Sequence, residues 1–223
     1  MPAILIATRN AHKVSEIRAI LGGQYQYLTL NDFPGAPKVI EDAATFAGNA
    51  TKKAVELAKW LMARVEESQV DWVLADDSGL EVDALNGAPG VFSARFAALD
   101  RGENSSDVDN NAKLLELLKN VPIEKRTARF RCVLALTPVT SRKIENASPV
   151  CYADEPDFQT RLSDGACEGR IIFEPRGANG FGYDPLFVPD GFDKTFAELG
   201  DDVKNNLSHR ARAVEKLKSR LLF

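Results

Sequence analysis

Two adjacent carboxylates are the part of this sequence best suited to chemistry. Asp76 and Asp77 follow the apolar run VDWVLA (70–75) and precede a serine and a glycine, within the stretch LADDSGLEVDALNGAPG (74–90). A turn that ends a strand explains such residues, since Asp, Ser and Gly all favour turns. Neighbouring carboxylates repel each other, however, and that cost is usually tolerated where a cation or a proton offsets it. Strand side chains alternate between faces, so both acids can share one site only where the strand ends, and Asp77 is the better candidate ligand or base.

A polar loop close to the N-terminus is a second candidate site. The run AILIA (3–7) predicts a short strand, and the loop TRNAHK (8–13) leads from it into a helix. Thr8, Asn10 and Lys13 then surround a helix N-terminus, where free N–H groups and the helix dipole attract anions. A lysine in the first turn costs roughly a few tenths of a kcal/mol, which hints at a bound negative group. An ordinary capping loop explains the same residues, and the loop matches neither of the common glycine-rich phosphate motifs.

Charged residues around the clearest helix of the sequence form a third candidate group. Glu41 and Asp42 come just before a helix predicted from about 47 to 66, and Lys53 lies within that helix. A solvated, acid-rich helix start is the ordinary explanation of these acids.

A glycine-rich loop in the second half supplies the candidate aromatic residues. The glycines of GANGFGYDP (177–185) allow a backbone to approach a ligand closely, and Phe181 and Tyr183 are candidate stacking rings. A hairpin-like loop with an Asp-Pro turn explains the segment equally well. His209 and Arg210 follow on a helix, where such a pair more often forms a polar surface than a binding site.

The elements that must position these residues alternate along the chain. Apolar periodicity predicts helices beginning near Val14 and ending at Gly22-Gly23, at 47–66, at 107–119 and from about Leu207 to Leu221. Strands are predicted at 3–7, 70–75, 128–136, 148–153, 166–173 and in the short run LFV (186–188). The region 139–168 is polar, and part of it is predicted to be a surface excursion. The pattern predicts an α/β fold with a central mixed twisted sheet flanked by helices, in two lobes with an active-site cleft between them.

Composition narrows the class of protein. The 223 residues are 44% apolar and 27% charged with a net charge of −4, which is typical of a globular protein and argues against a broad basic face for nucleic acid. Three cysteines (Cys132, Cys151 and Cys167) without a C-x-x-C pair and two histidines make a disulfide framework or a zinc site improbable. A metal would be a hard cation such as Mg²⁺ on carboxylates. Without a long apolar run, no contact with a membrane is expected, and the cytoplasm is the simplest location.

The order of six segments resembles the inosine/xanthosine triphosphate pyrophosphatase family. The segments are ATRNAHK, EDAATFAGNATKKA, ADDSGLEVDALNGAPGVFSARF, GANGFGYDPLF, KTFAEL and KNNLSHRARA. The resemblance extends from about residue 3 to 220 and is interrupted mainly around 139–168. It implies one catalytic domain over 1–223 and Mg²⁺-dependent hydrolysis of ITP, dITP and XTP to the monophosphate and pyrophosphate by a homodimer. A related pyrophosphatase for modified pyrimidine nucleotides and a nucleotide sensor without turnover are the alternatives.

The resemblance also assigns roles to individual residues. Asp77 matches a metal ligand and the proton acceptor, and Asp76 supports it. Lys53 matches a substrate-contacting position and is grouped with these two catalytic residues. Glu41 matches the second metal-associated acid. Substrate-binding positions are Thr8, Arg9, Asn10, Ala11, His12, Lys13, Ser78, Phe181, Gly182, Tyr183, Asp184, Lys194, His209 and Arg210.

The chemistry of the residues agrees with these roles. An aromatic ring stacks on any base, whereas His209 and Arg210 can donate hydrogen bonds to an O6 acceptor. Adenine carries an amino group there, and a site with unpaired donors can discriminate by about 10⁴ or more. Three departures from the family pattern stand out: Arg9 where Gly is common, Gly48 where Glu is common, and a longer 139–168 region.

Overall fold

A mixed six-stranded sheet is the central element of the computed structural model, which describes residues 1–64, 69–99, 104–139 and 160–218. Its strands are β1 (Ala3–Ile6), β2 (Gln26–Thr29), β3 (Trp72–Val82), β4 (Thr127–Pro138), β5 (Arg161–Ile171) and β6 (Phe187–Pro189). The strand order is β2-β1-β3-β4-β5-β6. β1 runs parallel to β2 and β3, while β5 and β6 are antiparallel. The predicted α/β fold with a mixed sheet is therefore confirmed.

Helices flank this sheet. They are α1 (Ala11–Leu21), α2 (Phe46–Met62), α3 (Asp107–Leu118), α4 (Phe196–Leu199), α5 (Asp201–Leu207) and α6 (His209–Lys218), with 3-10 segments at Asp83–Leu85, Gly90–Ala98 and Ile123–Lys125. The first three α-helices begin at polar caps, since the side chains of Asn10, Thr45 and Ser106 each accept a backbone N–H of the first turn. No helix among the described residues is long and apolar enough to cross a membrane.

The chain divides into two compact units. The first comprises Met1–Asp77, Val133–Ser163 and Val214–Phe223, and the second comprises Ser78–Cys132 and Asp164–Ala213. Each unit contains one group of the candidate residues.

A buried strand and an apolar helix stripe build the first unit. All four residues of β1 are buried, and Ile4 pairs with Tyr27 of β2 on one side and Trp72 of β3 on the other. Helix α2 buries one side, whose apolar members recur at the three- and four-residue spacing of a helix: Phe46, Ala50, Ala54, Val55, Leu57, Ala58 and Leu61. This burial holds α2, and the polar residues that it carries, in one orientation.

Aromatic packing dominates the core of the second unit. The rings of Phe130 and Phe187 lie 4.7 Å apart between centroids, and Phe196 stacks on Phe187 at 5.4 Å. Leu114 and Leu118 of α3 are fully buried in the same cluster. Because these residues come from β4, β6, α3 and α4, their burial fixes the segments that lie between them.

The strand that carries the adjacent acids is longer than the sequence predicts. β3 continues from Trp72 to Val82, so Asp76 and Asp77 lie inside a strand and not at its end. The prediction of a strand that stops at residue 75 was wrong, because hydrogen bonding within the sheet outweighs the local preference of Asp, Ser and Gly for turns.

Smaller differences concern the boundaries of other elements. Helix α2 ends at Met62, the predicted C-terminal helix begins at His209 as α6 and is preceded by the separate short helix α5, and β5 begins at Arg161 within the predicted excursion. The short β2 was not predicted. The predicted strand at 148–153, and Val65 and Leu221 of the predicted helices, lie outside the described residues.

Candidate active site

Acids and lysines from separate segments of the first unit meet at β3. Lys13 of α1 forms an ion pair with the carboxylate of Asp76, which is 2% exposed. Lys53 of α2 lies with its Nζ 2.9 Å from Oε2 of Glu41 and donates to the backbone oxygen of Asp76 at 3.2 Å. The sequence-predicted acids and lysines are therefore neighbours, although they are distant along the chain.

Asp77 is a buried carboxylate of this cluster whose pKa is raised. It is 8% exposed, and among the described residues its Oδ2 has no hydrogen-bond partner. Burial raises the pKa of Asp77 from 3.8 to about 6, against the lowering effect of Lys13 and Lys53; Glu41 raises the pKa further, and a hydrogen bond from Asn49 lowers it. A carboxylate with this pKa is ionised at neutral pH and is a better base than an ordinary aspartate.

The cluster has the donor atoms that a hard cation needs. The buried, unpaired Oδ2 of Asp77 and the carboxylate of Glu41 are oxygen ligands of the kind that Mg²⁺ prefers. Across the described ranges, no group of three or more His, Cys, Asp or Glu side chains is placed to hold a metal ion. Two carboxylates fit Mg²⁺ nonetheless, because this ion is usually held by one or two carboxylates together with waters and substrate phosphates.

The N-terminal loop caps its own helix. Asn10 Oδ1 accepts the N–H groups of His12 at 2.9 Å and Lys13 at 3.2 Å, and Thr8 Oγ1 accepts the Asn10 N–H. Arg9 and Ala11 are exposed beside them. Asn10 therefore satisfies two of the helix N–H groups that were predicted to attract an anion. The ammonium of Lys13 lies at β3, where it pairs with Asp76.

Phe181 of the second unit lies among cations. The ammonium of Lys204 is 4.4 Å from the centroid of its ring, and the guanidinium of Arg210 is 5.9 Å away. Lys204 also forms an ion pair of 2.5 Å with Asp184, both side chains being 2% exposed. Arg210 donates to the hydroxyl of Ser78 at 2.9 Å. The half-buried ring and two ordered cations are suited to a planar, electron-rich ligand.

Other predicted residues of this unit have structural contacts. Tyr183 is 4% exposed and its hydroxyl donates to the backbone oxygen of Ser93, so its predicted role as a stacking ring is corrected to one of anchoring the loop. His209 is also buried, with its ring stacked on Phe130 at 4.8 Å. Lys194 lies exposed just before α4.

Two residues of these clusters were not assigned roles from the sequence. Lys204, and not Lys194, is the lysine that contacts Phe181 and Asp184. Asn49 is 1% exposed, and its Oδ1 accepts the Ala43 N–H at 2.9 Å, so one amide holds both the segment after Glu41 and the carboxylate of Asp77. An amide on the apolar side of α2 is the sequence feature that points to Asn49.

The fold and the clusters define an α/β protein that has carboxylates and lysines grouped in its first unit and an aromatic ring among cations in its second. The chain belongs to the Ham1 family, whose model matches residues 4–220. The predicted family membership is thereby confirmed.

Curated relatives and solved structures cover nearly the whole chain. A protein of Desulforamulus reducens named dITP/XTP pyrophosphatase is 46% identical over 214 residues, which are 96% of this chain and 92% of the relative. A Geobacter sulfurreducens protein of the same name is 45% identical, with 99% and 97% covered. The HAM1 protein structure from Coxiella burnetii matches with a TM-score of 0.76 at 35% identity, covering 99% of this chain and 98% of that one. The Staphylococcus aureus Ham1 protein matches with a TM-score of 0.76 at 36% identity, covering 98% and 97%.

Proposed function

We propose that this protein hydrolyses the non-standard purine nucleoside triphosphates ITP, dITP and XTP to the nucleoside monophosphate and pyrophosphate. The observation that carries the proposal is the meeting of Asp77 with Lys13, Lys53 and Glu41 in one cluster. Its support from relatives is that proteins 42% to 46% identical to this chain bear the name dITP/XTP pyrophosphatase.

Lys13 and Lys53 bind the triphosphate in this proposal. Each is already held in place by an acid, Lys13 by Asp76 and Lys53 by Glu41. Ordered ammonium groups neutralise phosphate charge without first losing side-chain freedom, which favours the transition state of phosphoryl transfer. Asp76 is therefore a positioning residue for Lys13.

Asp77 orients and deprotonates the attacking water. With no cation bound, burial holds the pKa of this carboxylate at about 6, so Asp77 is ionised at neutral pH and is available to bind the water and accept its proton. The water oxygen attacks the α-phosphorus, the bond between the α-phosphorus and its bridging oxygen breaks, and pyrophosphate leaves. Asn49 keeps the Asp77 carboxylate in place for this step.

Mg²⁺ is the cofactor that this donor set fits, with Asp77 and Glu41 as its protein ligands. When bound, the ion neutralises phosphate charge and polarises the phosphoryl oxygens. The long helix α2 contributes through Asn49 and Lys53, which contact these two acids.

The cluster around Phe181 binds the base. The ring stacks on the purine, and Lys204 and Arg210 supply donors to the O6 oxygen that hypoxanthine and xanthine share. Adenine presents a donor at that position, so buried donors would lose their partner and ATP would be rejected. The Asp184 carboxylate holds Lys204 in place for this contact.

A substrate panel tests the proposal. Pyrophosphate release is measured from ITP, dITP, XTP, dUTP, a modified pyrimidine triphosphate and ATP, with and without Mg²⁺. The expected result is release from the first three in the presence of Mg²⁺, with ATP slower by about 10⁴. Preference for a pyrimidine nucleotide would identify the related pyrophosphatase. Tight binding of ITP with no pyrophosphate would identify a nucleotide sensor.

One domain over residues 1–223, a homodimer and a cytoplasmic location are further parts of the proposal. The family model spans nearly the whole chain, in agreement with one domain. Sedimentation equilibrium tests the dimer, for which twice the chain mass of 24.4 kDa is expected.

A further inference from the structure

Peptide groups on both sides of Phe181 are held by carboxylates. Asp184 Oδ2 accepts the Phe181 N–H at 2.9 Å, and Asp107 Oδ2 accepts the Gly182 N–H at 2.7 Å. These N–H groups belong to the two peptide planes that flank the α-carbon of Phe181, so the two bonds together restrain its φ and ψ. The remaining freedom of the ring is rotation about its side-chain bonds.

Helix α3 also binds the other polar group of the same glycine. Asn111 Nδ2 donates to the carbonyl oxygen of Gly182 at 3.0 Å. Asp107 and Asn111 are four residues apart on α3, which places them on one side of the helix. Gly182 has a φ of +62°, a conformation that other residues adopt only with strain. One turn of α3 thus holds both the N–H and the carbonyl of a glycine in a special conformation.

The environment of Asn111 indicates more than a role in stability. The residue is 9% exposed, and its Oδ1 is buried with no hydrogen-bond partner among the described residues. A buried acceptor without a partner lowers stability, so an amide at this position is not explained by packing alone. The bond donated to Gly182 is the contact that the amide retains.

We propose that Asp107 and Asn111 are positioning residues for the nucleotide base, acting by holding Gly182 so that the backbone of Phe181 is fixed and its ring is kept at the position where it stacks on the base. The inference rests on the proposed function and deepens it. Neither residue belongs to the cluster of Asp77, Lys13, Lys53 and Glu41 that binds the phosphates in that proposal. A preorganised ring binds the base without an ordering cost at the moment of binding. Loss of the hydrogen bonds from Asp107 and Asn111 to Gly182 is therefore expected to weaken binding of the nucleotide base and to leave binding of the phosphates unchanged.

The steady-state constants for ITP in the full chain with Mg²⁺ test this proposal. Asp107→Ala and Asn111→Ala are expected to raise KM about five- to a hundredfold, the range that corresponds to loss of one stacked base, with a much smaller change in kcat. Inorganic tripolyphosphate has no base, so its competitive inhibition constant is expected to stay at the wild-type value in both variants. This combination is not produced by general damage to the fold.

Two neighbours on α3 provide matched controls. Asp109→Ala removes another acid of the first helical turn, whose carboxylate accepts a hydrogen bond from the Ser106 hydroxyl and not from Gly182. Asn110→Ala removes a buried amide that bonds the backbone of Ala97 and Ala94. Both controls are expected to keep the wild-type KM for ITP, even where they lower the melting temperature.

A conservative variant separates the hydrogen bond from the charge. Asp107→Asn retains an acceptor for the Gly182 N–H and is expected to keep KM close to wild type. Asp107 is exposed, so its variants test the proposal even if Asn111→Ala does not fold.

Equal KM values in Asp107→Ala, Asn111→Ala and the two controls would overturn the inference, as would a parallel rise in the tripolyphosphate constant. These outcomes leave the proposed function untouched, since the wild-type chain would still release pyrophosphate. If the wild-type chain binds ITP without turnover, the proposed function fails, and the dissociation constant for ITP replaces KM in the same comparison.

Discussion

Among single residues, Asp77 has a pKa that is set by opposing effects. Burial favours its neutral form, while Lys13 and Lys53 favour the ionised form, and burial is the larger effect. The folded protein therefore binds a proton at Asp77 more tightly than the unfolded chain does. The ionised Asp77 carboxylate therefore lowers the free energy of unfolding. This unfavourable contribution is absent below about pH 4, grows as the pH rises from about 4 to about 6, and is fully present above about 6.

Asp77→Asn separates activity from stability. The variant is expected to lose pyrophosphate release, because Asn neither accepts the proton of water nor carries a charge for Mg²⁺. Without divalent cations at pH 7.5, its free energy of unfolding is expected to exceed that of wild type by about 1 to 3 kcal/mol, since a shift of one pKa unit corresponds to about 1.4 kcal/mol. Denaturant unfolding at pH 7.5 and pH 4 measures the difference.

The difference between Asp77→Asn and wild type is expected to shrink toward zero at pH 4, where the wild-type carboxyl is protonated as well. If Asp77→Asn is less stable than wild type at pH 7.5, the inference that the buried, ionised Asp77 lowers the free energy of unfolding is wrong. Activity close to wild type would remove Asp77 from the mechanism.

At the scale of elements, the start of α2 connects helix geometry to the acids. Thr45 caps the helix by accepting the Gly48 N–H, and Asn49 binds the Ala43 N–H. A β-carbon added at Gly48 would lie 2.8 Å from the β-carbon of Ala43. The segment after Glu41 therefore lies so close to the helix that a side chain at position 48 would displace it. This close approach accounts for a glycine at position 48 of this chain.

Gly48→Ala is expected to destabilise the protein, although alanine favours helices over glycine by about 1 kcal/mol. Overpacking costs about 1 to 3 kcal/mol, which outweighs that gain. Thermal unfolding measures the effect. Displacement of the Glu41 segment is also expected to lower kcat/KM for ITP.

Gly23→Ala is the matched control, since a β-carbon at Gly23 would meet nothing within 4 Å. This variant is expected to leave the melting temperature unchanged or to raise it. A melting temperature of Gly48→Ala at or above that of wild type would show that the Ala43 segment adapts without cost.

At the scale of the whole molecule, each unit depends on contacts between distant segments. In the second unit, the guanidinium of Arg126 is 1% exposed and donates to the carbonyls of Val121 at 2.9 Å, Ile172 at 3.1 Å and Leu118 at 2.6 Å. Burial lowers its pKa, and the ring of Phe173 lies 4.0 Å from the guanidinium carbon. One side chain thus joins the end of α3 to the segment after β5.

Arg126→Met is expected to lower the free energy of unfolding by about 3 kcal/mol or more, because each buried carbonyl that loses its donor costs about 1 to 3 kcal/mol. Arg129→Met is the control, since that arginine is partly exposed and pairs with Asp83 and Glu168 at the surface. Such pairs contribute about 0 to 1 kcal/mol. Urea unfolding of both variants checks the contrast, and equal losses would contradict the structural role of Arg126.

Local patterns in the sequence allowed much of the fold to be predicted, together with the cluster of Asp77, Lys13, Lys53 and Glu41. Helix α1 was predicted because its apolar spacing ends at Gly22, and Lys53 was placed on α2 by the same periodicity. The continuation of β3 past Asp77 was not predictable, because Asp, Ser and Gly favour turns unless neighbouring strands bind them. Lys204 was not assigned a role from the sequence, since only folding shows which lysine packs on Phe181.

Motif order and periodicities of a few residues are enough to identify the family, the mixed α/β class and the acids and lysines of the candidate site. Which of these groups meet depends on how the chain folds. The pairing of Lys13 with Asp76 spans 63 residues and that of Asp107 with Gly182 spans 75. Contacts over such separations depend on strand order and helix packing, which no local pattern specifies. The raised pKa of Asp77 has the same origin, since burial is a property of the folded chain.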